Sequence, residues 1–406
     1  MKIDLRSTCK WIEKFDKADN EGKAFEYLAE TLKNDISEYF FNKVQLYDCV
    51  YDTMYQLQRE KQFDKILELY KYSEKYMERF KKPYYLDFYC IDYYLFNGDI
   101  QGIRKHLDNF LKEPVKSIDV FIPFYDKIVY FGYRDLSLEI CRELIDKVKD
   151  APGLLPGAER DYNKTVYAEK IQKVYCDIKN SVPINKREII EYLEKYDYYF
   201  EEIDIDTMQS LWGIDDPGLP SYEDYVEDGS LFEWKLMLLF MEYMDEKDIT
   251  FATAYDIWQL AIKCFKANIL GKRKCKSFEN LFKIDKEKHT NEIYWRMDPI
   301  FSNKVTCAYA AAWGLQYLAD FLFKYGYISE KTYDKNTYMI DSQKIDIIKR
   351  NPNVLWQYKF LYNWGKPDGT SEEQFEIIRD LFDNSFEAHI EFIEADDFPE
   401  DFEDEE

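Results

Sequence analysis

Histidine is the side chain best suited to moving protons near neutral pH, and this 406-residue chain has three: His106, His289 and His389. His289 has the richest surroundings. In "IDKEKHTNEIYWRMDP" a helix would bring Glu292 one turn after it, with Arg296 and Asp298 close by, a set suited to general-base chemistry. The plainer reading, a solvated surface histidine, needs no partner and is the one the sequence favours. None of the three has a second His or Cys at ligand spacing, so no zinc site is expected. The eight cysteines (Cys9, Cys49, Cys90, Cys141, Cys176, Cys264, Cys275, Cys307) form no CxxC pair, and most have apolar neighbours, as buried thiols do. The phosphate-cradling GxxxxGK[ST], the nucleophile elbow GxSxG, the zinc-binding HExxH and the dinucleotide-binding GxGxxG are all absent. Asp and Glu number 79, so acid pairs recur throughout and no carboxylate dyad stands out. The sequence assigns no catalytic residue, metal ligand or cofactor, and it leans away from an enzyme.

A helical ribonuclease of the HEPN type would need an arginine a few residues before its histidine; Arg104 is too near His106, and Arg379 too far from His389. The net charge of −24 opposes phosphate backbones and anionic lipid, which disfavours nucleic acid and membrane surfaces as partners. "GKRKCK", Gly271 to Lys276, is the one dense basic stretch and reads as a solvated loop. The opening "MKIDLRS" runs directly into charged sequence, and "LMLLFM" from Leu236 is far too short to span a bilayer. With scattered thiols, these features set the expectation of a reducing cytoplasm. The 36 Tyr and 29 Phe suit either an aromatic binding surface or half-buried helix positions, of which the second is the simpler.

The elements behind these residues read as helices. From Thr8 to about Phe200 apolar residues recur at i, i+3, i+4 and i+7. In "FDKILELYKYSEKYMERF" the predicted stripe is Phe63, Ile66, Leu67, Tyr70, Ser73 and Met77. Asn185 with Glu188 has capping-box spacing, and Thr370 or Ser371 caps the last helix through Glu373 or Gln374. Ala308, Ala312, Leu315 and Ala319 share one face of a helix that ends at Gly326, a left-handed cap. The Gly/Pro/Asp-rich "WGIDDPGLPSYEDYVEDG" marks a boundary. The predicted organisation is a helical repeat domain over 1–212, a loop or linker over 213–229, a C-terminal helical domain over 230–393 and an acidic tail over 394–406. That tail holds nine carboxylates interrupted by Phe398 and Phe402. It reads as a disordered solubilising segment, or as a motif that inserts its phenylalanines into a partner.

Within the first domain, Gly98 of "FNGDIQGIRKHLDNFL" and Gly132 of "FGYRDLSLEICRELI" lie 34 residues apart, each between two amphipathic runs. Lys61 takes the glycine's position one unit upstream. This pattern resembles a degenerate tetratricopeptide (TPR) repeat over about Leu46 to Asp150, extending towards Phe200. It departs from that family where Ile103 replaces the small residue found at Ser137, where the Trp-Leu-Gly signature is missing, and where Pro123 should shorten one helix; a general α-solenoid or HEAT-like stack stays open. The fold expected is thus all-α, with stacked antiparallel hairpins followed by a second helical region. The resemblance implies a concave groove lined by Phe88, Asp92, Leu95, Asp126 and Val129, the two aspartates at equivalent positions. Such an acidic, apolar-runged groove would take a basic or amphipathic protein or peptide. The function expected is that of a cytoplasmic binding, scaffold or regulatory protein. An enzyme with its site in the C-terminal helices, and a structural subunit of an assembly, are the alternatives left open.

Overall fold

The computed structural model describes residues 5–20, 22–80, 82–213, 218–265, 269, 275–298 and 304–388. His389, the acidic tail and the first four residues of the basic stretch lie outside them. Among the described residues every regular element is helical, with a single isolated bridge between Phe265 and Ile284. The chain divides into two compact units, the first running to Phe121 and including residues 384–388, the second running from Ile122 to Asp383.

In chain order the helices up to this division are α1 (Leu5–Asn20), α2 (Ala24–Lys33), α3 (Glu38–Lys43), α4 (Leu46–Arg59), α5 (Phe63–Ser73), α6 (Tyr84–Asn97), α7 (Ile100–Lys112) and α8 (Pro114–Tyr130). Then follow α9 (Arg134–Val148), α10 (Arg160–Lys179), α11 (Lys186–Glu194), α12 (Glu202–Trp212), α13 (Tyr222–Glu227), α14 (Gly229–Asp245) and α15 (Phe251–Ala261). The last six are α16 (Phe278–Leu281), α17 (Lys286–Met297), α18 (Val305–Lys324), α19 (Glu330–Arg350), α20 (Phe360–Asn363) and α21 (Glu372–Glu387).

One turn recurs. After α4, α6 and α8 the chain passes through a left-handed residue, Lys61, Gly98 or Gly132, with φ of 58°, 69° and 77°. At each the next residue's N–H reaches back to the helix: Gln62 to the Leu57 carbonyl, Asp99 to Tyr94, Tyr133 to Ile128. These bonds satisfy carbonyls that a helix end leaves orphaned, and the left-handed residue reverses the chain. Lys61 adopts a conformation that costs a non-glycine residue about 1 kcal/mol. Its ammonium donates to the carbonyls of Ser385 and Ala388, capping the last described turn, where Phe386 stacks on Phe63 at 4.6 Å and on Phe96 at 4.1 Å.

Burial explains the helices of each unit. In the first, Leu28 and Leu32 of α2 pack with Ile66 and Leu69 of α5, and α4, α5 and α6 pack on one another. The α5 stripe is rotated from its predicted position: Leu69 is buried and Leu67 only half-buried, and the chain tightens to a 3-10 turn at Glu74–Arg79, burying Tyr76 in place of Met77. In the second unit α18 is buried on every side from Thr306 to Leu322, the mark of a central helix. Gly314 lets it approach α15: a Cβ there would lie 2.5 Å from Ile257 Cγ2.

The compact units divide within α8. Within the described part of 213–229 exposed residues alternate with anchored ones: α13 starts with a reciprocal Ser221–Asp224 capping box, Tyr225 is fully buried, and Tyr327 donates to the Pro220 carbonyl. Pro123 does not shorten its helix, since α8 runs through it for 17 residues. The caps match the sequence: Asn185 accepts from Glu188 N–H, Ser371 and Gln374 exchange bonds, and Gly326 has φ of 74°.

Candidate functional site

Four of the five predicted groove residues are buried. Asp92 and Leu95 on α6 are 1% and 2% exposed, Asp126 and Val129 on α8 are 3% and 4%, and Phe88 is half-buried. The reason is that α6 is apolar nearly all round, burying Tyr84, Leu86, Tyr89, Cys90 and Ile91, so it has no solvent face at Asp92. Phe88, Asp92 and Leu95 belong to the first unit, Asp126 and Val129 to the second.

Asp126 instead enters a charged cluster drawn from four helices. Lys164 on α10 puts its ammonium 2.9 Å from Asp256 Oδ1 on α15 and 3.6 Å from Asp126 Oδ1, with Asp161 at 3.9 Å. Tyr130 donates its hydroxyl to Asp256 Oδ2, and Cys307, in the first turn of α18, donates to Asp126 Oδ2 at 3.1 Å. Three further bonds fix this junction: Thr253 to the Val129 carbonyl, Tyr125 to Thr165, and Trp364 to the Tyr130 carbonyl.

The electrostatics follow from burial. Burial works against the Lys164 charge, but Asp256, Asp126 and Asp161 outweigh it and hold the ammonium well above its usual range. Burial, reinforced by neighbouring carboxylates, pushes the Cys307 thiol and the Tyr130 phenol far up, so both remain neutral donors. Asp126, Asp256 and Cys307 bring potential ligand atoms within 4.8 Å of one another. The Lys164 ammonium supplies positive charge there. The set is an ion-pair network. It can hold charge and exchange a proton.

A second buried network lies in the first unit. Asp87 on α6 accepts from Tyr70 of α5 at 2.5 Å, and from His106 Nδ1 at 2.8 Å and Asn109 at 2.9 Å, both on α7. His106 is 1% exposed, edge-on to Tyr70 and stacked on Tyr94. Here the acid joins three helices. His289, expected at the surface, is also buried; burial lowers its pKa to about 4, and its Nε2 meets no hydrogen-bonding group among the described residues. Glu292 pairs with Arg296 at 2.9 Å and leaves the imidazole without the acid expected to assist it.

The exposed acids lie elsewhere. On α9, Leu136, Ile140, Leu144 and Val148 face the core, while Asp135, Glu139, Arg142 and Glu143 are exposed. With Leu138 these four line a shallow depression of about 570 Å³. The sequence contained this signal in the amphipathic run after Gly132, but the repeat register drew attention to the helix before the turn instead. No protein-family model, curated protein or solved structure matches the chain. No described helix is long and apolar enough to cross a membrane.

Proposed function

We propose that the protein is a helical-repeat binding protein that takes a basic, amphipathic protein or peptide on its carboxylate-rich surface. The observation that supports this reading is the near-regular spacing of like left-handed caps at Lys61, Gly98 and Gly132, each between two helices as in tetratricopeptide-like arrays, although the same cap also occurs at Ser181, Asp197, Asp248 and Gly326. Stacks of such pairs offer repeated, rigid outer surfaces. The α9 depression supplies a suitable one: Asp135, Glu139 and Glu143 outnumber the lining cation Arg142, Lys147 pairs with Glu143 at 2.8 Å at its edge, and Leu138 gives an apolar contact. A chain charge of −24 speeds encounter with a basic partner. All eight cysteines are free thiols, in keeping with a cytoplasmic setting.

The test is fluorescence anisotropy with two labelled helical peptides, one patterned Lys/Leu and one Glu/Leu. The expected outcome is saturable binding of the basic peptide only, weakening as salt rises. The triple variant Asp135→Lys, Glu139→Lys, Glu143→Lys should fold normally and bind at least about tenfold more weakly at low salt, because attraction becomes repulsion. Equal affinity of the folded variant would exclude this face.

A further inference from the structure

The cluster on α8, α10, α15 and α18 holds more acid than base. Asp126 and Asp256 contribute two buried carboxylates, and Lys164 one ammonium. Asp256 uses both oxygens, one against Lys164 and one accepting from Tyr130. Asp126 Oδ2 accepts from Cys307, whereas its Oδ1 is 3.6 Å from the ammonium and accepts no hydrogen bond. A full negative charge on a buried oxygen without a donor is costly, and a proton removes that cost.

We infer that Asp126 is a proton-binding site of the folded chain, and that its protonation in mildly acidic conditions tightens the junction of these four helices. The groups facing it are Lys164, Asp161 and Tyr162 from α10, Asp256 from α15, Cys307 from α18, and Tyr130 on its own helix. Burial keeps both phenols and the thiol neutral, so the charged neighbours are Lys164, Asp161 and Asp256. Burial raises the Asp126 carboxyl to about 6; Lys164 opposes the rise, and Asp256 and Asp161 add to it. Because the folded value is higher than the ordinary 3.8, the native state keeps a proton that the unfolded chain has already lost. This group's contribution to stability is therefore present at low pH, declines as pH rises from about 4 to about 6, and is flat above. A carboxylate in a favourable salt bridge behaves in the opposite way.

The test is thermal unfolding of the full chain and its Asp126→Asn variant from about pH 4 to about pH 8 at constant ionic strength. Asn imitates the protonated acid, so carboxylates remote from the cluster cancel in the comparison, and what remains belongs to Asp126 together with its coupled neighbours. The two melting temperatures should lie closest at the acid end, with the variant gaining progressively on the parent up to about pH 6 and holding its gain beyond. A pH-independent difference, or one that grows against the variant, overturns the inference. Should the variant not fold, infrared titration of the parent against Asp256→Asn replaces it. Removing the neighbouring charge should shift one buried carboxyl's midpoint down by about one pH unit. If the difference spectrum has no carboxyl titrating above about pH 5, Asp126 is an ordinary acid and the inference fails.

Discussion

Asp87 and Asp126 are both buried aspartates on long helices, yet their surroundings handle the charge differently. Around Asp87 three side chains, Tyr70, His106 and Asn109, converge on the two carboxylate oxygens. Around Asp126 the compensation comes mainly from one ammonium shared with Asp256. A carboxylate surrounded by donors acts as a fastener between helices. One balanced by a shared charge is left part-compensated, and its ionisation remains adjustable.

The largest expected effect tests the second arrangement. Lys164→Met strands two carboxylates in the core and should cost about 3–5 kcal/mol at neutral pH, measured by urea unfolding. The loss should shrink as pH falls towards about 5, since Asp126 can then take up a proton. A variant as stable as the parent would mean that the ion pairs contribute nothing. Next is Asp87→Asn, which turns an amide donor towards donors in place of one accepting oxygen. It should cost about 2 kcal/mol by leaving a buried donor unmet, with the loss seen in the same unfolding assay. Gly314→Ala separates packing from charge: its Cβ would meet both γ-carbons of Ile257, so a loss of about 1–3 kcal/mol is expected, with partial rescue by Ile257→Ala, which removes them. Failure of that rescue would show that the α15–α18 approach is not set by this contact. The smallest effect belongs to the turns. Gly98→Ala should lower stability by about 1 kcal/mol because alanine is strained at φ of 69°, readable as a shift in the urea midpoint.

Local features were legible from sequence, and remote ones were not. Apolar spacing and cap chemistry act over four or five residues, so the helices, the Asn185 and Ser371 caps and the left-handed turns could be read directly. The equivalence of Lys61 with the two glycines was visible for the same reason. The charged cluster depends on pairs far apart in the chain: Tyr130 and Asp256 are separated by 126 residues, Asp126 and Cys307 by 181. Nothing in local spacing separates a buried aspartate from an exposed one, which is why Asp92 and Asp126 read as groove acids. One clue was available. Asp126 sits in "FIPFYDKIVYF", where an acid amid apolar residues on both sides implies a buried partner. His289 misled in the reverse sense, its charged neighbours in sequence suggesting a solvated face.

The grip of Lys61 on Ser385 and Ala388 has a meaning in time. The hydrogen bond to Ser385 spans 324 residues, and Phe386 completes an aromatic stack between Phe63 and Phe96. The first unit is therefore made early but receives its final piece only after some 260 further residues have been synthesised, on the order of ten seconds or more at ribosomal speed. Until then Phe63 and Phe96 lack the ring that covers them. The nascent amino-terminal helices must stay soluble while incomplete, a demand that their dense surface charge is well suited to meet.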